Sequence, residues 1–179
     1  SLINGGQGLA LKPIFAGEEE HSAWLGRMSR HKVDTSKLRE GAQDVFIGID
    51  SGSTTTKIVV TDTSSRVLYS YYTPNKGNPI EAVEEGLKKL QEECVRTGTT
   101  LYVKGSCSTG YGEDLVKAAF QLDGGIVETI AHYMAAHSLD PDVSFILDIG
   151  GQDMKAMFIT NGVIDRIEIN EACSSGCGF

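Results

Sequence analysis

The sequence predicts an α/β fold, one whole lobe followed by the opening strands of a second. Three observations carry that prediction. Short apolar runs of strand length alternate with stretches whose apolar residues recur at helical spacing. A strand, a Gly-containing turn and a second strand occur in that order twice, beginning at Val45 and again at Ser144. In each copy the first strand ends in an aspartate, Asp50 and then Asp148.

Residues 1–44 stand apart. The opening fifteen residues are glycine-rich and aperiodic, and Gly17 to Val33 reads as one helix with Trp24, Leu25 and Met28 on a face. This segment is expected to be a linker or a loosely docked arm. The first lobe is expected over 45–140. VFIGID at 45–50 is a buried strand, and KIVVTD and RVLYSYYT follow as strands separated by a Thr-Ser-Ser turn. Pro79 opens a helix, since its fixed φ suits the first turn, and Ile80, Val83, Leu87 and Leu90 mark its buried side. TLYVKGS at 100–106 is the next strand, Tyr111 to Phe120 a helix, and Glu128 to His137 another, closed by Asp140-Pro141.

The second lobe begins in 141–179. SFILDIG is a buried strand, and the two runs that follow form a hairpin, because Asn161-Gly162 is a strong tight-turn signal. The repeat of the opening triplet is the most informative feature of the organisation. A three-stranded sheet with one bare face is marginal by itself, so the pattern predicts that residue 179 falls inside a truncated domain.

Bulk properties narrow the function classes. Sixteen Lys and Arg against 24 Asp and Glu give a net charge of −8, and no basic stripe marks a nucleic-acid surface. No apolar run approaches the roughly 18 residues needed to span a bilayer, and no signal-peptide pattern opens the chain. A cytoplasmic setting without membrane or nucleic-acid partners is therefore expected. Many of the 21 glycines fall in short loops directly after apolar runs, where a missing side chain lets backbone approach a ligand.

The first chemical motif is DSGSTTTK at 50–57. A strand delivers Asp50 to its C-terminal end, and a turn of Ser51, Gly52, Ser53, Thr54 and Thr55 leads into the next strand. Backbone amides and hydroxyls of such a turn surround phosphate oxygens, with Lys57 as countercharge. Asp50 suits Mg²⁺ held through water. The plainer reading is a polar hairpin turn, where these residues are common anyway. It is not a Walker A loop, which leads into a helix. The second motif, DIGGQDMK at 148–155, occupies the same place in the second triplet. Asp148 suits water or metal, Gly150 and Gly151 let backbone close on phosphates, and Gln152 completes the bend. Two such turns facing one another would clamp a polyphosphate.

FIGIDSGSTTTK and FILDIGGQDMK resemble the two phosphate motifs of the ASKHA superfamily, which includes actin and the sugar kinases. DIGGQDMK followed by NEACSSGCGF at 170–179 is more specific. Together with STGYGEDLVKAAF at 108–120 and ETIAHYMAA at 128–136, it resembles the BadF/BadG/BcrA/BcrD family. That family includes the activator of 2-hydroxyglutaryl-CoA dehydratase and benzoyl-CoA reductase subunits. The resemblance runs from about Val45 to Phe179, and the cysteine segment looks most like activase domains of large multidomain members.

The resemblance implies a ribonuclease-H-like, actin-like ATPase lobe and an ATP-binding cleft between lobes, with Asp50, Asp148, Gln152 and Glu128 around the reacting phosphate. Glu128 also suits a helix start by dipole alone. It implies ATP/ADP and Mg²⁺ as ligands. It further implies a [4Fe-4S] cluster shared by a homodimer or by paired activase domains, which passes low-potential electrons to a 2-hydroxyacyl-CoA dehydratase or related reductase. Cys173 matches the first cluster ligand, and the second belongs beyond Phe179. Cys177 departs from the simpler activators, which leaves its role open; two thiolates do not complete a four-ligand site. With the adenosine-binding part expected further on, the 179 residues alone are expected to bind nucleotide weakly and to be inactive. Two alternatives stand beside this reading. One is a small-molecule kinase of the same fold, which leaves the Cys173 segment unexplained. The other is a non-catalytic nucleotide-sensing module. Cys94, Cys107, Tyr111, His132 and His137 are expected to be packed or exposed side chains.

Overall fold

The computed structural model describes residues 13–30, 32–150 and 153–170. Gly151, Gln152, Cys173 and Cys177 lie outside them. The chain divides into a unit ending at Lys32 and a second unit from Val33 onward.

The first unit contains α1 (Glu18–Met28), which starts with Glu18, Glu19 and Glu20 and carries Arg27 in its last turn, charges that suit the helix dipole. None of its residues is buried. Trp24, Leu25 and Met28 stay partly open, with Phe15 tilted against the Trp24 ring at 5.6 Å. The helix is shorter than Gly17–Val33 and stops at Ser29.

The second unit opens upstream of residue 45. Leu38 is buried in the core, and β1 (Gly41–Ser51) already begins at Gly41. It is followed by β2 (Thr55–Asp62), β3 (Val67–Pro74), α2 (Pro79–Thr97), β4 (Thr99–Thr109), α3 (Glu113–Phe120), β5 (Gly124–Gly125) and α4 (Glu128–Leu139). The strands lie in the order β3-β2-β1-β4-β5, antiparallel over the first three and parallel from β1 onward. The return from β3 to β4 is made by α2, as a parallel pair requires.

Helix α2 forms where the pattern placed it. The Asn78 side chain accepts the Glu81 N–H, Pro79 takes the first turn and Gly98 ends the helix at φ 67°. Ala82, Val83, Gly86 and Leu90 are buried. Alternation along β1 sends Val45 and Ile49 to the α2 side, where Ile49, Ile58, Val83 and Val116 form one core cluster. Each fully buried Val or Ile contributes about 1.5–3 kcal/mol. The opposite face carries Phe46, which is 44% exposed.

The second sheet is β6 (Phe145–Ile149), β7 (Met154–Thr160) and β8 (Val163–Asn170), antiparallel throughout in the order β6-β7-β8. Asn161 and Gly162 form the β7–β8 turn with positive φ, as the dipeptide predicts. Phe145, Leu147 and Ile149 leave one face of β6 open. Helix α4, expected within the first lobe, reaches this sheet: Tyr133 Oη donates to the Gly162 carbonyl at 2.6 Å. No helix among the described residues is long and apolar enough to cross a membrane, which says nothing of strands.

Candidate functional site

The duplication seen in the sequence extends to individual hydrogen bonds. Two residues past Asp50, the Gly52 N–H donates to Thr55 O at 2.9 Å; two residues past Asp148, the Gly150 N–H donates to Asp153 O at 2.9 Å. Asp50 stands opposite Lys57 in the β1–β2 register, and Asp148 opposite Lys155 in the β6–β7 register. One local structure is therefore built twice, with an acid, a glycine bend and a lysine at matched positions.

At the first turn, Lys57 Nζ donates to Asp50 Oδ2 at 2.9 Å. Asp50 Oδ1 and Ser51 Oγ are buried and have no hydrogen-bond partner among the described residues. Buried polar atoms without partners are rare and costly, so this corner has donor and acceptor capacity to offer a ligand. The TGYG segment at 109–112 wraps the same corner. Gly112 N–H donates to Ser51 O at 2.8 Å. A Cβ on Gly110, at φ 88°, would lie 2.6 Å from Asp50 Oδ1 and 2.7 Å from Ser51 O, and one on Gly112 would lie 2.6 Å from Ser51 Oγ. Only glycine allows this approach. Tyr111 between them is 89% exposed.

Asn75, which the sequence did not single out, braces the turn from the other side. Its side chain is buried; Nδ2 donates to Gly52 O at 2.7 Å, and Oδ1 accepts from Thr56 Oγ1 at 2.6 Å. Its own N–H donates to Thr54 O at 2.8 Å. The Thr-Pro-Asn run at the end of β3 carries no period and no spacing that could have flagged it.

The second turn carries a different set of partners. Lys155, with its side chain only 11% exposed, reaches Glu128 Oε2 and Asp153 Oδ2, each at 3.1 Å. Burial opposes the charge on this ammonium, but its hydrogen bonds to Glu128 and Asp153 outweigh that and hold its pKa above the usual lysine value. Asp148 Oδ2 lies 3.0 Å from His132 Nδ1. That nitrogen is buried and has no hydrogen-bond partner among the described residues.

The predicted site residues thus fall into two groups. Asp50, Ser51, Gly52, Thr54, Thr55 and Lys57 cluster with the TGYG segment and Asn75. Asp148, Gly150 and Glu128 cluster with Lys155, Asp153 and His132. Ser53 lies in the first turn, and among the described residues no side-chain hydrogen bond places it further. His132, expected to be a packed or exposed side chain, stands beside the acid of the second motif. His137 stacks on Tyr133 at 5.5 Å instead, and Cys94 and Cys107 are half-buried free thiols.

Residues 47–179 match the BadF/BadG/BcrA/BcrD ATPase family. The (R)-2-hydroxyglutaryl-CoA dehydratase activating ATPase of Acidaminococcus fermentans is 30% identical over 135 residues, 74% of this chain and 49% of that protein. The 2-hydroxyisocaproyl-CoA dehydratase activator of Clostridioides difficile is 30% identical over 74% of this chain and 48% of its own length. The solved structure of the Clostridium difficile activator with bound ADPNP superposes with a TM-score of 0.62 at 27% identity, covering 75% of this chain and 48% of that one. The ethanolamine utilization protein EutJ of Carboxydothermus hydrogenoformans, at 17% identity and TM-score 0.53, shares the fold over 72% of this chain and 52% of its own. The architecture is that of the actin-like ATPases. The chain spans about half the length of the curated relatives it matches.

Proposed function

Because the chain belongs to the BadF/BadG/BcrA/BcrD ATPase family, we propose that it forms the phosphate-gripping part of an ATP-dependent activator. The whole protein couples ATP hydrolysis to low-potential electron transfer into a 2-hydroxyacyl-CoA dehydratase or a related reductase. The observation that carries this reading is the turn built twice, with Gly52 and Gly150 making the same backbone bond behind Asp50 and Asp148.

The two turns hold the phosphate chain of ATP or ADP from opposite sides. Amides and hydroxyls of Ser51, Gly52, Ser53, Thr54 and Thr55 take one side with Lys57 as countercharge; Gly150, Gly151 and Gln152 take the other. Asp50 Oδ1, buried and without a partner among the described residues, fits a Mg²⁺ hydration shell, and bound Mg²⁺ would neutralise charge on the phosphates. Glu128 and Asp148 orient the attacking water. Lys155 holds the Glu128 carboxylate in place at 3.1 Å. Exchange of ATP for ADP drives the protein between two conformations only by binding them unequally.

The electron-transfer part rests on the named activities of the dehydratase-activator relatives and on the NEACSSGCGF segment. Cys173 is assigned as a ligand of a [4Fe-4S] cluster shared by a homodimer or by paired activase domains. Cys177 is a second, weaker candidate. The setting is cytoplasmic, without nucleic-acid or membrane partners. Anaerobic purification of the full-length protein tests this. A brown protein with an electron-paramagnetic signal on reduction and ATPase activity is expected; a colourless ATP-binding protein would leave a nucleotide-sensing module in its place.

A further inference from the structure

We propose that Glu128, His132 and Asp148 form a binding site for a divalent transition-metal ion, one that loads without nucleotide. It rests on side-chain geometry alone, although Asp148 and Glu128 also belong to the proposed phosphate site.

Glu128 and His132 are four residues apart on α4 and so share one face of that helix. Asp148 meets them from the end of β6. One donor atom from each lies within 4.8 Å of the other two. The closest pair, His132 Nδ1 and Asp148 Oδ2, is 3.0 Å apart yet not hydrogen-bonded. Two donors bound about 2.1 Å from one ion, at right angles, stand about 3 Å apart. The separation fits two ligands on a common centre as well as it fits an ion pair. Glu128 supplies the third donor atom, within 4.8 Å of the other two.

The donor set selects the metal. Two carboxylates alone suit Mg²⁺ or Ca²⁺, but an imidazole nitrogen favours Co²⁺, Zn²⁺ and, more weakly, Mn²⁺. Three protein ligands leave at least one position for water or a phosphate oxygen. Lys155 sets the limit on affinity, because its ammonium shares Glu128 and must yield part of that contact to the ion. Its second partner, Asp153, keeps it paired when it does so.

The test is a Co²⁺ titration of the 179-residue chain without nucleotide, read by visible d–d absorption and by calorimetry. Saturation at one ion per chain is expected, with affinity falling in the order Zn²⁺, Co²⁺, Mn²⁺, Mg²⁺. His132→Gln should weaken Co²⁺ at least tenfold, its fold checked by circular dichroism, and Glu128→Gln should weaken it as well. A Co²⁺ band that persists undiminished in His132→Gln, as thiolate ligation would give, overturns the proposal. So does Mg²⁺ binding as tightly as Co²⁺. Either result leaves the nucleotide reading intact, since no nucleotide is present.

Discussion

Lys155 stands directly opposite Asp148 in the β6–β7 register, yet its ammonium pairs with Glu128, at 3.1 Å. At the matching position of the first turn, Lys57 pairs with the aspartate it faces, Asp50, at 2.9 Å. One register thus serves two electrostatic arrangements. The difference arises because α4 brings Glu128 and His132 to the second turn, whereas the first is approached by glycine backbone.

Lys155→Met should destabilise the chain by about 1–3 kcal/mol, because it leaves two carboxylates without their shared donor. The folded-state pKa of Lys155 is raised. Its contribution is therefore complete below the ordinary lysine value, about 10.4, and is lost as pH rises through the higher folded value. Denaturant midpoints should differ by a constant amount through neutral pH, with the gap narrowing only above that region. A gap that widens with rising pH would refute the assignment.

Gly110→Ala places a Cβ 2.6 Å from Asp50 Oδ1 at a backbone φ of 88°. Left-handed strain of about 1–2 kcal/mol adds to the displacement of the Asp50 carboxylate. Unfolding midpoints should fall, and any nucleotide affinity with them. Gly112→Ala should be milder, since its closest clash is with the single hydroxyl of Ser51. Equal effects of the two variants would speak against a backbone origin.

Asn75→Ala removes the buried bonds to Gly52 O and Thr56 Oγ1. A loss of about 1–3 kcal/mol is expected, and amide exchange at Gly52 and Thr55 should accelerate while that at Gly150 is unchanged. Unchanged exchange at Gly52 would show that the turn holds its shape without this brace.

Cys94 is half-buried on α2, and burial, with the neighbouring Glu93 adding to it, pushes its thiol pKa up. Near neutral pH it should alkylate more slowly than a free cysteine, so Cys94→Ser should leave the fast phase of thiol labelling unaltered. A fast phase lost in that variant would contradict the burial.

The local chemistry of the turns was readable in the sequence, and the side chains around them were less so. Acid-ended apolar runs followed by glycine fix strand, bend and strand through near-neighbour sterics, so β1, β2, β6 and β7 emerged with their motifs. Helix α2 was equally legible, because Asn78, Pro79 and Gly98 mark its ends. Asn75 and His132 take their meaning from contacts across 23 residues to Gly52 and across 16 to Asp148. No local period encodes such contacts. The same holds for α4, whose apolar residues run round the helix without a dominant stripe; its placement beside β6 and the β7–β8 turn follows from His132 reaching Asp148 and Tyr133 reaching Gly162.

The central claim is that the two matched turns grip one phosphate chain. The most direct measurement is an NMR titration of the isotope-labelled chain with Mg²⁺ and ADPNP. The amides of 51–55 and of 150–153 are predicted to shift together along a single binding curve. Movement of only one set, or two curves with unrelated midpoints, would contradict a shared site.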